Sequence, residues 1–136
     1  MRQPVREGGT LVLDSAGLSG FLTRERKVMS LLELAERQDR ELVMAAATLI
    51  EAVHKRTPAP RTNWVLSRIR VEPLTLESAR RSAALLQTCG LHGNKYAIDA
   101  MVAEVALRQP APVAVVTSDE EDLSRLCGDR VRLIVV

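Results

Sequence analysis

At 136 residues, with 46% hydrophobic and 26% charged side chains, the chain has the size and balance of one compact domain, which excludes a disordered chain and leaves little room for a second domain. A formal charge of +2 is too small to identify a nucleic-acid partner by itself, and an aromatic content of 2% means that the core must be built mainly from Leu, Val, Ile and Ala. Cys89 and Cys127 stand far apart in no metal-ligand spacing, no stretch approaches about 18 apolar residues, and MRQPVREGGT lacks the apolar segment of a secretion signal, so a reduced cytoplasmic setting without membrane contact is expected.

Residues 1–10, polar with a Pro and a Gly pair, read as a flexible leader, and the domain is expected over 11–136. The first strand is Leu11 to Leu13, ending on Asp14 and the small residues Ser15, Ala16 and Gly17. Val28, Leu31, Leu32 and Ala35 then recur at helical spacing. Glu41 to Met44 is a second short strand, leading into a helix from Ala45 through Lys55 with Leu49, Ile50 and Val53 on one face. Thr57-Pro58-Ala59-Pro60 stops that helix, since proline lacks the amide donor and restricts its predecessor.

Residues 61–69 form a short helix carrying Trp64, and a third strand lies around Val71 before Pro73. From Thr75, the residues Leu76, Ala79, Ala83 and Leu86 make a stripe that ends at Cys89-Gly90. A helix from Tyr96 to Arg108 buries Ile98, Met101, Val102 and Val105. Val113 to Val116 has the continuous apolar character of a strand covered on both faces. Thr117-Ser118-Asp119 turns into a last helix through Leu126, with a capping box from Ser118 and Glu121, and Val131 to Val136 is the final strand. Strands alternating with helices in this way imply an α/β fold with a parallel sheet flanked by helices and right-handed crossovers.

In such a sheet the residues just past the strand ends share one edge, and that edge is where ligands bind. Asp14 and Asp119 lie there. Glu51, early in the helix after a strand, and Asp99, early in the helix before one, are brought to the same edge. Grouped carboxylates raise one another's pKa, and either protons or a cation must relieve them. An all-oxygen set without His or Cys suits Mg²⁺ or Mn²⁺ rather than zinc, and such ions promote in-line phosphodiester hydrolysis. Each acid also has a structural reading: Asp14 as a turn former or cap, and Asp119 with Glu120, Glu121 and Asp122 as a first turn that offsets a helix dipole. Glu51 and Asp99, set among small apolar residues, are harder to explain in that way.

At these residues the chain resembles the PIN-domain family, and within it the VapC-type toxins of bacterial toxin–antitoxin pairs. The resemblance runs from Leu11 onward. It is carried by Leu11-Val12-Leu13-Asp14-Ser15, by Glu51 in Leu49-Ile50-Glu51-Ala52-Val53, by Asp99 in Ala97-Ile98-Asp99-Ala100, and by Val116-Thr117-Ser118-Asp119 with Asp122 following. It implies a three-layer fold with a five-stranded parallel sheet. It also implies a Mg²⁺- or Mn²⁺-dependent endoribonuclease, a homodimer, and a small antitoxin partner. Asp14, Glu51, Asp99 and Asp119 fall on the family's acidic positions, Asp119 and Asp122 compete for the fourth, and Ser15 and Thr117 support the site. Ala16 stands where many relatives carry Ser or Thr.

The first 70 residues carry 12 basic and 8 acidic side chains and the remainder 7 and 9, so the basic excess lies in the first half. Lys55, Arg56, Arg61 and Arg68 are candidates for contacts with RNA phosphates, with a solvated helical hairpin as the alternative, and Lys95 is a candidate through its place four residues before Asp99. Trp64 suits a protein interface or base stacking. Two rival readings remain from the residues: a non-catalytic PIN-like module that binds a metal or partner, and a nuclease directed at DNA.

Overall fold

The computed structural model describes residues 8–136, and the expected leader falls largely outside them. Its C-terminal part does not behave as a leader. Thr10 already belongs to the first strand and is buried, the Gly8 amide donates to the Asp39 carbonyl, and the Gly9 carbonyl accepts from Glu41.

Five strands, β1 (Thr10–Leu13), β2 (Glu41–Ala45), β3 (Arg70–Glu72), β4 (Val113–Thr117) and β5 (Arg132–Val135), form one sheet in the order β3-β2-β1-β4-β5. Every neighbouring pair is parallel, with Leu11 opposite Leu42 and Ala114 in the central register. Because side chains alternate along a strand, each central strand feeds two cores. Leu11, Leu13, Ala114 and Val116 face α1 (Ser15–Leu22), α2 (Arg26–Arg37), α3 (Thr48–Ala52) and α4 (Ala59–Ser67). Val12, Val113 and Val115 face α6 (Gly93–Leu107) and α7 (Glu120–Cys127), with α5 (Leu76–Cys89) packed on α6. This is the three-layer α/β arrangement expected, and all five residues of β4 are buried.

Helix α1 has no counterpart among the predicted elements. Gly17 and Gly20 weaken the helical signal, yet both are needed for close approach. A Cβ on Gly17 would meet Leu13 and Val116 at 3.2–3.3 Å, and one on Gly20 would lie 2.4 Å from a Val28 methyl. The α1 helix is thereby pressed onto the sheet and against α2.

Four expectations need correction. The helix expected over Ala45–Lys55 is only Thr48–Ala52, because Ala45 continues β2 and Ala46 bonds to the end of β3. Its Ile50 is 79% exposed, while Leu49 and Val53 do pack inward. The prolines expected to terminate a helix instead begin one: Pro58 caps α4 and Pro60 lies in its first turn, where no amide partner is lost. Helix α5 starts at Thr75 as expected, with a capping box to Ser78, and ends on left-handed Gly90, but it buries Ser78 and Ser82 and leaves Leu76 70% exposed. Packing selects that face because Ser82 and Ser78 satisfy their hydroxyls on carbonyls one turn back, which lets α5 lie close to α6. On α6, Ala100, Val102, Ala103, Val105 and Ala106 are buried, whereas Ile98 and Met101 are half-buried.

Candidate metal centre

The carboxyl ends of β1 and β4 are adjacent in the sheet, and each delivers an aspartate that caps the following helix. Asp14, 9% exposed, accepts through one oxygen from the amides of Ala16 at 2.9 Å and Gly17 at 3.2 Å. Its grip is therefore on backbone, so a hydroxyl at position 16 is not required to hold it. Asp119 caps α7 by accepting from the Asp122 amide at 3.2 Å. The expected cap at Ser118 gives way to this one. Thr117, fully buried, accepts from the Asp119 amide at 2.9 Å and hydrogen-bonds the Asp14 carboxylate, so one hydroxyl ties the two strand ends together.

Among the described residues Asp99, Asp119 and Asp122 each offer a carboxylate oxygen within 4.8 Å of the others. The choice between Asp119 and Asp122 is thus not forced, since one turn of α7 presents both. Asp99 comes from the first half of α6 and is half-buried. Its pKa is pushed from 3.8 up to about 6, first by burial and then by the charges of Asp119, Asp122, Glu51 and Asp14. Asp14 is also pushed up, by burial foremost and in small part by Asp119, against the hydrogen bonds from Thr117, Gly17 and Ala16. Asp122 is raised by its hydrogen bond with the Asp119 side chain, by burial and by that neighbour's charge, with Arg125 and Lys95 opposing. Asp99 feels the charge of the other four acids, and together they form a field that a cation would relieve.

Glu51 differs from the rest. It lies in the first turn of the short α3, exposed to solvent, and reaches the cluster through its charge on Asp99. Ser15 opens α1 and makes no side-chain hydrogen bond to these acids among the described residues. An oxygen-only donor set of this density fits a hard divalent cation, with Asp99, Asp119 and Asp122 as the closest group and Asp14 and Glu51 beside them.

The basic candidates separate. Arg61 donates to the carbonyls of Phe21 at 2.7 Å and Leu22 at 3.2 Å, closing the end of α1, and lies over the Trp64 ring at 5.0 Å. Arg68 lies over the same ring at 5.2 Å, and Trp64 meets Phe21 edge-on. Lys55 and Arg56 are exposed between α3 and α4. Lys95 stands on α6, four residues before Asp99, and its charge is felt by Asp122.

A family profile for the PIN domain matches residues 11–129, which span all five acids. The chain belongs to the PIN domain family. Members of that family are generally nucleases. Among solved structures this PIN domain is similar to a chain of VapBC2 from Rickettsia felis bound to a DNA fragment from their promoter, with a TM-score of 0.68 at 16% identity over 93% of this chain and 98% of that one. It is similar also to a chain of a toxin–antitoxin complex from Klebsiella pneumoniae, with a TM-score of 0.69 at 20% identity over 90% and 95%. No curated protein matches the sequence significantly.

The residue that sequence reading passed over is Tyr96, beside Lys95 at the start of α6. The signal available was its position three residues before Asp99, one helical turn along the same face.

Proposed function

We propose that the protein is a divalent-metal-dependent endoribonuclease, using Mg²⁺ or Mn²⁺, and the toxin of a toxin–antitoxin pair. The observation that carries this reading is the convergence of Asp99, Asp119 and Asp122 within 4.8 Å beside Asp14, in a chain of the PIN family. The solved toxin–antitoxin complexes of like fold support a small antitoxin as partner. A homodimer and a cytoplasmic setting complete the proposal.

Asp14, Asp99, Asp119 and Asp122 would hold the ion, with Glu51 approaching from α3 and Thr117 fixing Asp14. When bound, the ion supplies positive charge to the scissile phosphate and acidifies water for in-line attack. The chain's own contribution is orientation. Thr117 and the amides of Ala16 and Gly17 favour the ionised form of Asp14 and offset part of the effect of its burial, and the amide of Asp122 aims Asp119. Asp99, whose carboxyl is pushed up to about 6, would exchange its proton for the cation.

The test is cleavage of a labelled RNA with Mg²⁺ or Mn²⁺, alongside a DNA of the same sequence, for the wild type, Asp14→Asn and Asp99→Asn. Cleavage of RNA by the wild type alone supports the reading. Undiminished cleavage by both variants removes these residues from the reaction, and preferential cleavage of the DNA replaces the substrate.

A further inference from the structure

A site with five acidic side chains repels the polyanion it is proposed to cut, even with one divalent ion in place. Some cation of the chain must meet the phosphates near the reacting bond. Among the described residues two cations flank the cluster: Arg125 on α7, the helix of Asp122, and Lys95 on α6, four residues before Asp99. Arg125 is already engaged: it pairs with Glu121 at 2.6 Å and approaches Asp122 at 4.0 Å, neutralising acids of its own helix. Lys95 makes no ion pair within salt-bridge distance among the described residues. Its ammonium instead lies 5.1 Å from the centre of the Tyr96 ring and hydrogen-bonds that side chain. Lys95 lies one helical turn before Asp99 on α6, so its charge is presented along the face that carries the metal-binding acids.

We propose that Lys95 is a substrate-contacting cation of this site, binding a non-bridging oxygen of the RNA chain beside the acidic cluster, and that Tyr96 is the positioning residue that holds its ammonium there. The proposal rests on the nuclease reading and names how that site accepts its substrate. A solvated lysine samples many rotamers, and contact with a ring narrows them without consuming the charge, because a cation–π contact in water is far weaker than pairing with a phosphate. An ammonium is a point charge that contacts phosphate without reading bases. Lys95 therefore governs binding and salt dependence, and leaves sequence preference alone.

The experiment measures cleavage of an unstructured labelled RNA between 50 and 200 mM salt for the wild type, Lys95→Gln, Lys95→Arg, Tyr96→Leu and the Lys95→Gln/Tyr96→Leu double variant. Lys95→Gln is expected to raise KM about fivefold and to lower the salt slope by about 0.7, the value for one contact to a single strand, with kcat within about twofold. Lys95→Arg restores most of the loss. Tyr96→Leu shows part of the KM effect, and the double variant is no worse than Lys95→Gln, because Tyr96 acts through Lys95. Unchanged KM and slope in Lys95→Gln overturn the proposal, and additive effects in the double variant overturn the role of Tyr96. If the wild type cuts no RNA, the nuclease reading fails separately. Fluorescence anisotropy with the same RNA then decides for Lys95: weaker, less salt-dependent binding by Lys95→Gln sustains it and equal binding sinks it.

Discussion

Replacing Asp99 by Asn should stabilise the metal-free protein at neutral pH. The Asp99 carboxyl titrates near 6 in the folded chain, against 3.8 for an ordinary aspartate, because it is partly buried and faces Asp119, Asp122, Glu51 and Asp14. A carboxyl with a raised folded pKa binds more protons folded than unfolded between those two values. Its contribution to stability is therefore intact below about pH 4 and is lost as pH climbs to about 6. At about 1.4 kcal/mol per pH unit the full loss is about 3 kcal/mol. Solvent reaches part of the group, so screening reduces this to about 1–2 kcal/mol. Asn keeps the shape and removes the charge. In EDTA at pH 7.5 the Asp99→Asn variant should therefore unfold at a urea midpoint about 0.5–1 M above wild type, with unchanged slope. The advantage should vanish by pH 4. Saturating Mn²⁺ should reverse the order, since a ligand at 100 times its Kd adds about 2.7 kcal/mol to the chain that binds it. A variant less stable than wild type in EDTA at pH 7.5, or a difference that ignores pH, would refute the reasoning.

Other consequences follow from packing and pairing. Gly20→Ala should destabilise by about 2 kcal/mol in thermal unfolding, because a Cβ 2.4 Å from the Val28 methyl outweighs the gain in helix propensity, and Val28→Ala in the same chain should recover part of it. Arg61→Ala should cost about 1–2 kcal/mol by removing the side-chain donor to the Leu22 and Phe21 carbonyls, of which Phe21 keeps a backbone donor, Lys should not rescue it, and Trp64, the single Trp, should report the change by a red-shifted emission. Glu104, 3% exposed, pairs with Arg108 at 2.7 Å and with Arg81 at 3.4 Å. Its truncation to Ala should cost about 3 kcal/mol in urea unfolding, and Gln should cost less.

The sheet could be read from the sequence because its central strands announce themselves chemically. Val113 to Val116 must be covered on both faces, and Leu11-Val12-Leu13 has the same character, so β1 and β4 become neighbours whose ends carry Asp14 and Asp119. Where reading failed, tertiary contact had overruled local preference. Gly17 and Gly20 look like helix breakers until the sheet and Val28 press against them. Ser78 and Ser82 look like the outer face of α5 until the close approach of α6 demands small side chains there. Arg61 looks like a free cation, and only the folded chain shows that the end of α1 uses it. Tyr96 carries no motif of its own, and its relevance depends on the distance from its ring to Lys95.

The structural and functional accounts of Asp14 and Asp119, which compete when the sequence is read residue by residue, coincide in the fold. Each caps a helix through its Oδ1 alone, Asp14 for α1 and Asp119 for α7. The cap bonds do not use the other carboxylate oxygen. The cap hydrogen bond fixes the side chain's direction, so that second oxygen is held in place before any ion arrives. The positive ends of two helix dipoles also lie behind these carboxylates and offset part of the repulsion that grouping five acids creates. Asp99 receives neither help: it projects from within α6, beyond its first turn, and no cap hydrogen bond reaches it. With nothing to offset its burial and the neighbouring charges, Asp99 is driven up to about 6, and a cation, rather than the fold, must supply what keeps it ionised in more acidic solution.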